Sequence, residues 1–205
     1  MLLGVLIAVV GYWGPWVHHC SAALILTGPD MGEFVKFLPQ VRAGEERVFR
    51  QIFYLPPFAA ALGLLALAGS SPLGRRAVPK FILLAFALAL SCALLPPAFT
   101  PSSILSAEFR LQSIAFLVCL FLAFWQGVFG LIPRRFFFGL VLALCLAGAI
   151  FPLWQFLALR GAIQAVYGFP IASGWGLWAA PAGLLLTALS AGLGLTLPEV
   201  SENRT

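Results

Sequence analysis

The chain has 205 residues, 61% of them hydrophobic and 9% charged, with a mean hydropathy of +1.01. A soluble domain carries about 25% charged residues, and 12 basic and 7 acidic side chains are too few to solvate the surface of a chain this long, which excludes a water-soluble enzyme or binding module. The net charge of +5 does not indicate nucleic acid, because much of the excess sits in two short turns, Arg75, Arg76 and Lys80, and Arg134 and Arg135, as in loops that face anionic lipid headgroups.

A bilayer core about 30 Å thick takes about 20 helical residues. Apolar runs near that length predict an all-α polytopic transmembrane bundle of about six spans in a single membrane domain, over 1–17, 53–69, 81–99, 113–132, 136–159 and 175–197. The first run has no basic leader and reaches Tyr12, Trp13 and Trp16 where a signal peptide would be cleaved, so it is read as a retained helix.

The loop over 18–52 is the richest segment. His18, His19 and Cys20 are adjacent, and the chain has no other histidine; neighbouring helical residues point about 100° apart, so no complete metal or haem site is expected, nor any cofactor. Asp30 with Glu33 three residues on reads as a capped helix start. The short helix that follows, with Met31, Phe34, Val35 and Leu38 apolar, ends at Pro39 and is expected to lie in the interface or cap the bundle.

The two basic turns fall on one side by parity and contain no acidic residue, so that side is read as cytoplasmic, with both termini on it. The multi-pass chain then belongs in a plasma or cytoplasmic membrane. Trp13, Trp16, Trp154, Trp175 and Trp178 map to the outer interface, where indole rings prefer to sit. Pro15, Pro56, Pro57, Pro96, Pro97, Pro101, Pro152 and Pro170 gather at the same level and should unwind the outer helix ends around a wet vestibule. Asp30, Glu33, Lys36, Glu108, Arg110 and Arg160 are the candidate ligand-binding residues of that vestibule.

Helices associate in lipid through small side chains. Ala85, Ala89 and Ala93 on the third span, and Gly183, Thr187 and Ala191 on the last, are the expected packing faces, with the last span central or packed against another subunit. Cys92, Cys119 and Cys145 are read as packing residues. Gln126, Gln155, Ser91, Ser113, Thr187 and Ser190 are expected to bond to neighbouring helices.

From the second span to the sixth the apolar runs contain no Asp, Glu, His, Lys or Arg, whereas ion-coupled transporters keep such residues near the midplane. The chain also lacks a Gly-rich phosphate loop, Gly-x-Ser-x-Gly and His-Glu-x-x-His, which weighs against an enzyme. The leading expectation is a non-catalytic, permease-like subunit of a multi-component transporter energised by a separate ATPase, with Arg75, Arg76, Lys80, Arg134 and Arg135 as its partner or lipid contacts. The alternatives are a structural or assembly subunit of an energy-converting membrane complex, and an intramembrane lipid-modifying enzyme. The expected partners are the bilayer and other membrane subunits or an ATPase, with no nucleic acid.

Overall fold

In lipid every backbone polar group must be satisfied within the protein, so apolar runs settle as helices. A computed structural model describes residues 1–19, 25–70, 76–95, 100, 106–126 and 133–196. Among these, six apolar helices form the bundle: α1 (Leu2–Trp13), α4 (Leu55–Ser70), α5 (Ala77–Ser91), α6 (Arg110–Phe124), α7 (Arg134–Tyr167) and α8 (Gly176–Thr196). Four helical stretches are long and apolar enough to cross a membrane: Arg50–Gly69, Ala77–Leu94, Arg135–Tyr167 and Gly176–Thr196. The helices Leu2–Trp13 and Arg110–Phe124 are shorter; α1 rises only about 18 Å. It stops before the expected end at 17 because Gly14 turns extended (φ −73°, ψ 167°) and Pro15 has no amide to continue the ladder.

The helix at the centre is α4 rather than the last. It touches α1, α5, α6, α7 and α8, and 78% of its spanning window is buried against 33% for α8. Ala59, Ala60, Ala61, Gly63, Ala66 and Ala68 put small residues on every side of α4, so neighbours can approach it from all directions. α1 packs antiparallel on α8 through backbone contact: a Cβ on Gly183 would overlap Ala8 and the Gly4 carbonyl, and one on Gly11 would overlap Ala179 and Ala180. Thr187 and Ala191 are buried as well.

Ala85 and Ala89 point outward, on a stripe with Phe81, Ile82 and Cys92; the buried face of α5 is Leu83, Ala87, Leu90 and Ser91. Small size alone does not select the packed face, since the larger Leu83 and Leu90 fill the space beside α4 and α6. Cys119 and Cys145 are buried but Cys92 is exposed, and Cys20 lies outside the described residues. Ser91, Gln126, Thr187 and Ser190 each donate to a carbonyl three or four residues earlier in their own helix. That carbonyl is within reach without any neighbour. Of these four, Ser190 also bonds across to the head of α1, its Oγ accepting from the Met1 amino group at 2.9 Å.

One end of the bundle carries a cap. β1 (Pro15–His18) pairs antiparallel with β2 (Leu26–Thr27) on one side and with β3 (Ala172–Ser173) on the other. Gly174 lies so close to the Pro15 carbonyl that no side chain fits there. α2 (Gly28–Phe34), α3 (Pro39–Arg42) and the 3-10 segments Val35–Phe37 and Arg50–Tyr54 complete the cap. Its core joins Trp16, Met31, Val35, Leu38, Phe53, Phe156 and Ile163.

α7 reaches this core because it does not unwind at Pro152. It runs 34 residues, about 51 Å, and ends at Gly168, a left-handed C-cap (φ 72°) whose amide donates to the Gln164 carbonyl. Pro152 removes one hydrogen bond, and burial of Gln155, Phe156, Leu159 and Ile163 beyond it holds the next turns. Pro181 likewise stays inside α8. Trp16 leaves the expected interfacial belt for the cap core, where its Nε1 donates to the Gly11 carbonyl at 3.3 Å; Trp13, Trp154, Trp175 and Trp178 remain exposed.

Candidate functional site: a charged clasp beneath the cap

α2 begins at Thr27, three residues before the expected N-cap. Asp30 is the acidic partner of this capping box, taking the Thr27 amide at 2.9 Å and its hydroxyl at 2.6 Å. A carboxylate at that position answers two groups that the helix start leaves open. Glu33 is thereby released from capping and turns towards the 3-10 segment ahead of α4.

There Glu33 meets three donors. Lys36 Nζ lies 2.6 Å from its Oε2, and Arg50 Nη1 and the Tyr54 hydroxyl each reach Oε1 at 3.0 Å. Both cations also hold Glu108, just ahead of α6: Lys36 Nζ at 3.0 Å and Arg50 Nη1 at 2.9 Å from its Oε1, with Arg50 Nη2 3.4 Å from its backbone carbonyl. The Arg50 guanidinium sits 4.5 Å from the centre of the Phe109 ring, within cation–π range.

Two cations face two carboxylates, so the clasp is neutral. It ties α2, the start of α4 and the start of α6 together. Arg50 is only 7% exposed, a burial that a guanidinium tolerates when its charge is paired; Nη1 and Nη2 are both engaged, and the buried Nε is left without a partner. Burial alone pushes the Glu33 carboxyl up, but hydrogen bonds from Lys36 and Tyr54 and the charges of Arg50 and Lys36 outweigh it and hold the group below its ordinary 4.5. Burial pulls the Lys36 ammonium down, and its bonds to Glu33 and Glu108 reverse this, leaving it above 10.5.

Two clefts flank Tyr54. One, of about 280 Å³, is bordered by Pro29, Asp30, Glu33, Ala93 and Leu95. The other, of about 240 Å³, opens between α4 and α6 and contains Gln51 and Gln112.

Of the six candidate ligand residues, Glu33, Lys36 and Glu108 come together, and Asp30 borders the adjoining cleft. Arg160 is elsewhere, donating to the Ile171 carbonyl at 3.3 Å, and Arg110 is exposed at the head of α6. Arg50, Tyr54 and Gln112 are not among the candidates that the sequence singles out. The available signal was position: Arg50 is the last charge before the second apolar run, where a buried helix start needs its partner. At the bundle end where a vestibule was expected lies the cap with its apolar core. At the opposite end Arg76 and Arg135 are exposed; Arg75 and the side chain of Arg134 lie outside the described residues. Among the described residues no group of three or more His, Cys, Asp or Glu is placed to hold a metal ion.

What the arrangement does chemically is hold: every carboxylate of the clasp is met by a cation. Comparison of the chain with protein-family models, curated proteins and solved structures finds no match.

Proposed function

We propose that this chain is a non-catalytic assembly subunit of a membrane complex, which binds a neighbouring membrane subunit along the outward face of α5. The observation that carries this reading is the exposed pair Ala85 and Ala89 at four-residue spacing, the kind of surface on which helices approach closely in lipid. The clasp supports it, since the charges that catalysis or ligand capture would draw on are engaged with one another.

The test is a mild-detergent pull-down of the tagged protein from its native membrane, with native-gel migration and mass spectrometry. A stoichiometric membrane partner that is lost in the Ala85→Leu/Ala89→Leu variant supports the reading. A monodisperse free monomer, or a partner retained by the variant, overturns it.

A permease-like subunit of a multi-component transporter is the second reading. It is favoured by Pro152 and Pro181 inside two helices packed on each other, which offers a hinge, and by the exposed Arg76 and Arg135 as contacts for a separate ATPase. Recovery of a nucleotide-binding protein, lost on replacing Arg76 and Arg135, would select this reading over assembly.

A further inference from the structure

Gln112 is 3% exposed, and neither its Oε1 nor its Nε2 has a hydrogen-bond partner. Its amide lies beside Tyr54; the Tyr54 hydroxyl gives its hydrogen to Glu33, so it can only accept from Nε2, which leaves the second Nε2 hydrogen and the whole of Oε1 open. A buried amide left without bonds costs about 1–3 kcal/mol, and such groups are normally satisfied by protein, water or ligand. This one belongs to the 240 Å³ cleft. The remaining walls are mainly apolar, from Leu55 and Phe58 on α4, Leu94 beyond α5, and Leu111 and Ala115 on α6.

We propose that this cleft binds the hydroxyl end of an uncharged, single-chain lipid of the long-chain alcohol or monoacylglycerol class. One hydroxyl donates to Gln112 Oε1 and accepts from Nε2, answering both open groups at once. The lining argues for neutrality: it includes neither a cation to hold a carboxylate or phosphate nor a carboxylate to hold an ammonium. The volume argues for a single chain entering from outside, since pockets that enclose a whole small molecule run from about 300 Å³ upward. Leu111 on the rim is exposed, and Ile114 and Val118 continue an exposed apolar stripe down α6 along which the chain would lie. An apolar pocket with few convergent polar groups is the usual form of a small-molecule site.

The experiment uses the full chain in phosphatidylcholine nanodiscs and a ten-carbon alcohol with a mid-chain diazirine, with crosslinks mapped by mass spectrometry. We expect labelling at Leu94, Leu111 or Ala115 that decanol and a monoacylglycerol displace, and that the matching alkane probe reproduces on the order of tenfold more weakly. Stronger displacement by one of the two competitors identifies the source of the hydroxyl. In Gln112→Leu, alcohol labelling should fall to the alkane level while the unfolding temperature stays at or above that of the parent. Should that variant fail to fold, Ala115→Phe, which fills the cleft, must abolish the alcohol-specific labelling. Equal labelling by alcohol and alkane overturns the proposal. So does displacement by decanoate or decyltrimethylammonium as effective as by decanol, or alcohol-specific labelling that survives in the folded variant.

Discussion

Arg50 holds Glu108 at two points, its side chain at 2.9 Å from Nη1 and its backbone carbonyl at 3.4 Å from Nη2, across 58 residues of chain. This pair fastens the start of α6 to the start of α4, and through Glu33 it also fastens the cap.

Removing the cation should therefore cost more than removing either anion. In Arg50→Met, Glu33 and Glu108 are left side by side with only Lys36 between them, and a loss of about 1–3 kcal/mol is expected. Glu108 is half-exposed, and Glu108→Gln leaves Arg50 its bonds to Glu33 and to the backbone, so a loss below about 1 kcal/mol is expected. Unfolding midpoints in one detergent compare the two; a Glu108→Gln loss equal to that of Arg50→Met would show that Arg50 is not the hub.

The clasp should be weakened at both ends of the pH scale. Glu33 titrates below its unfolded value of 4.5, so its contribution is complete above that value and is lost as pH falls through the folded pKa. Lys36 titrates above 10.5, so its contribution is complete below that value and is lost as pH rises through the folded pKa. Amide exchange of residues 28–37 should be slowest between these limits. Glu33→Gln should remove the acid limb and Lys36→Met the alkaline one; unchanged limbs would assign the titration to other groups.

The α1–α8 seam should tolerate no added carbon. Gly183→Ala drives a methyl into the backbone of α1 and should cost about 1–3 kcal/mol. Gly192, on the same helix, faces open space, with no heavy atom within 4 Å of where a Cβ would sit, so Gly192→Ala should be neutral or stabilising by up to about 1 kcal/mol. Thermal unfolding of the two variants side by side gives the answer, and equal effects would mean that α1 does not contact α8 so closely.

Asp30 acts as a capping residue, so Asp30→Ala should cost roughly 0.5–2 kcal/mol, while Asp30→Asn, which can still accept from the Thr27 amide, should recover most of it. Circular dichroism melts test this. Full stability in Asp30→Ala would return Asp30 to the residues free to bind a ligand.

Orientation is open to direct measurement. In a cysteine-free background, cysteine introduced at Glu46, beside the cap, should react with an impermeant maleimide on intact cells, and cysteine at Arg76 only after permeabilisation. The reverse pattern would place the cap in the cytoplasm.

By itself the sequence pointed to a bilayer and determined the principal elements. Charge scarcity together with runs of about twenty apolar residues permits little else than helices in a bilayer, and the helical cores of 53–69, 81–99, 136–159 and 175–197 were legible for that reason. Its reading of the loop was partial: a capped short helix was visible, but Thr27, not Asp30, is the N-cap, because side-chain chemistry alone does not tell a cap from its acidic partner three residues on. What only the tertiary structure decided rests on pairing between distant segments. β1 and β3 are four and two residues long and meet across about 150 positions, too short to show an alternating pattern. Which face of α5 is buried, which helix is central, and that Arg50 rather than Arg110 or Arg160 completes the clasp all depend on neighbours that no local pattern names. Apolar periodicity is a weak guide in a bilayer, because lipid and protein interior are equally apolar and a helix incurs no penalty for turning either face outward.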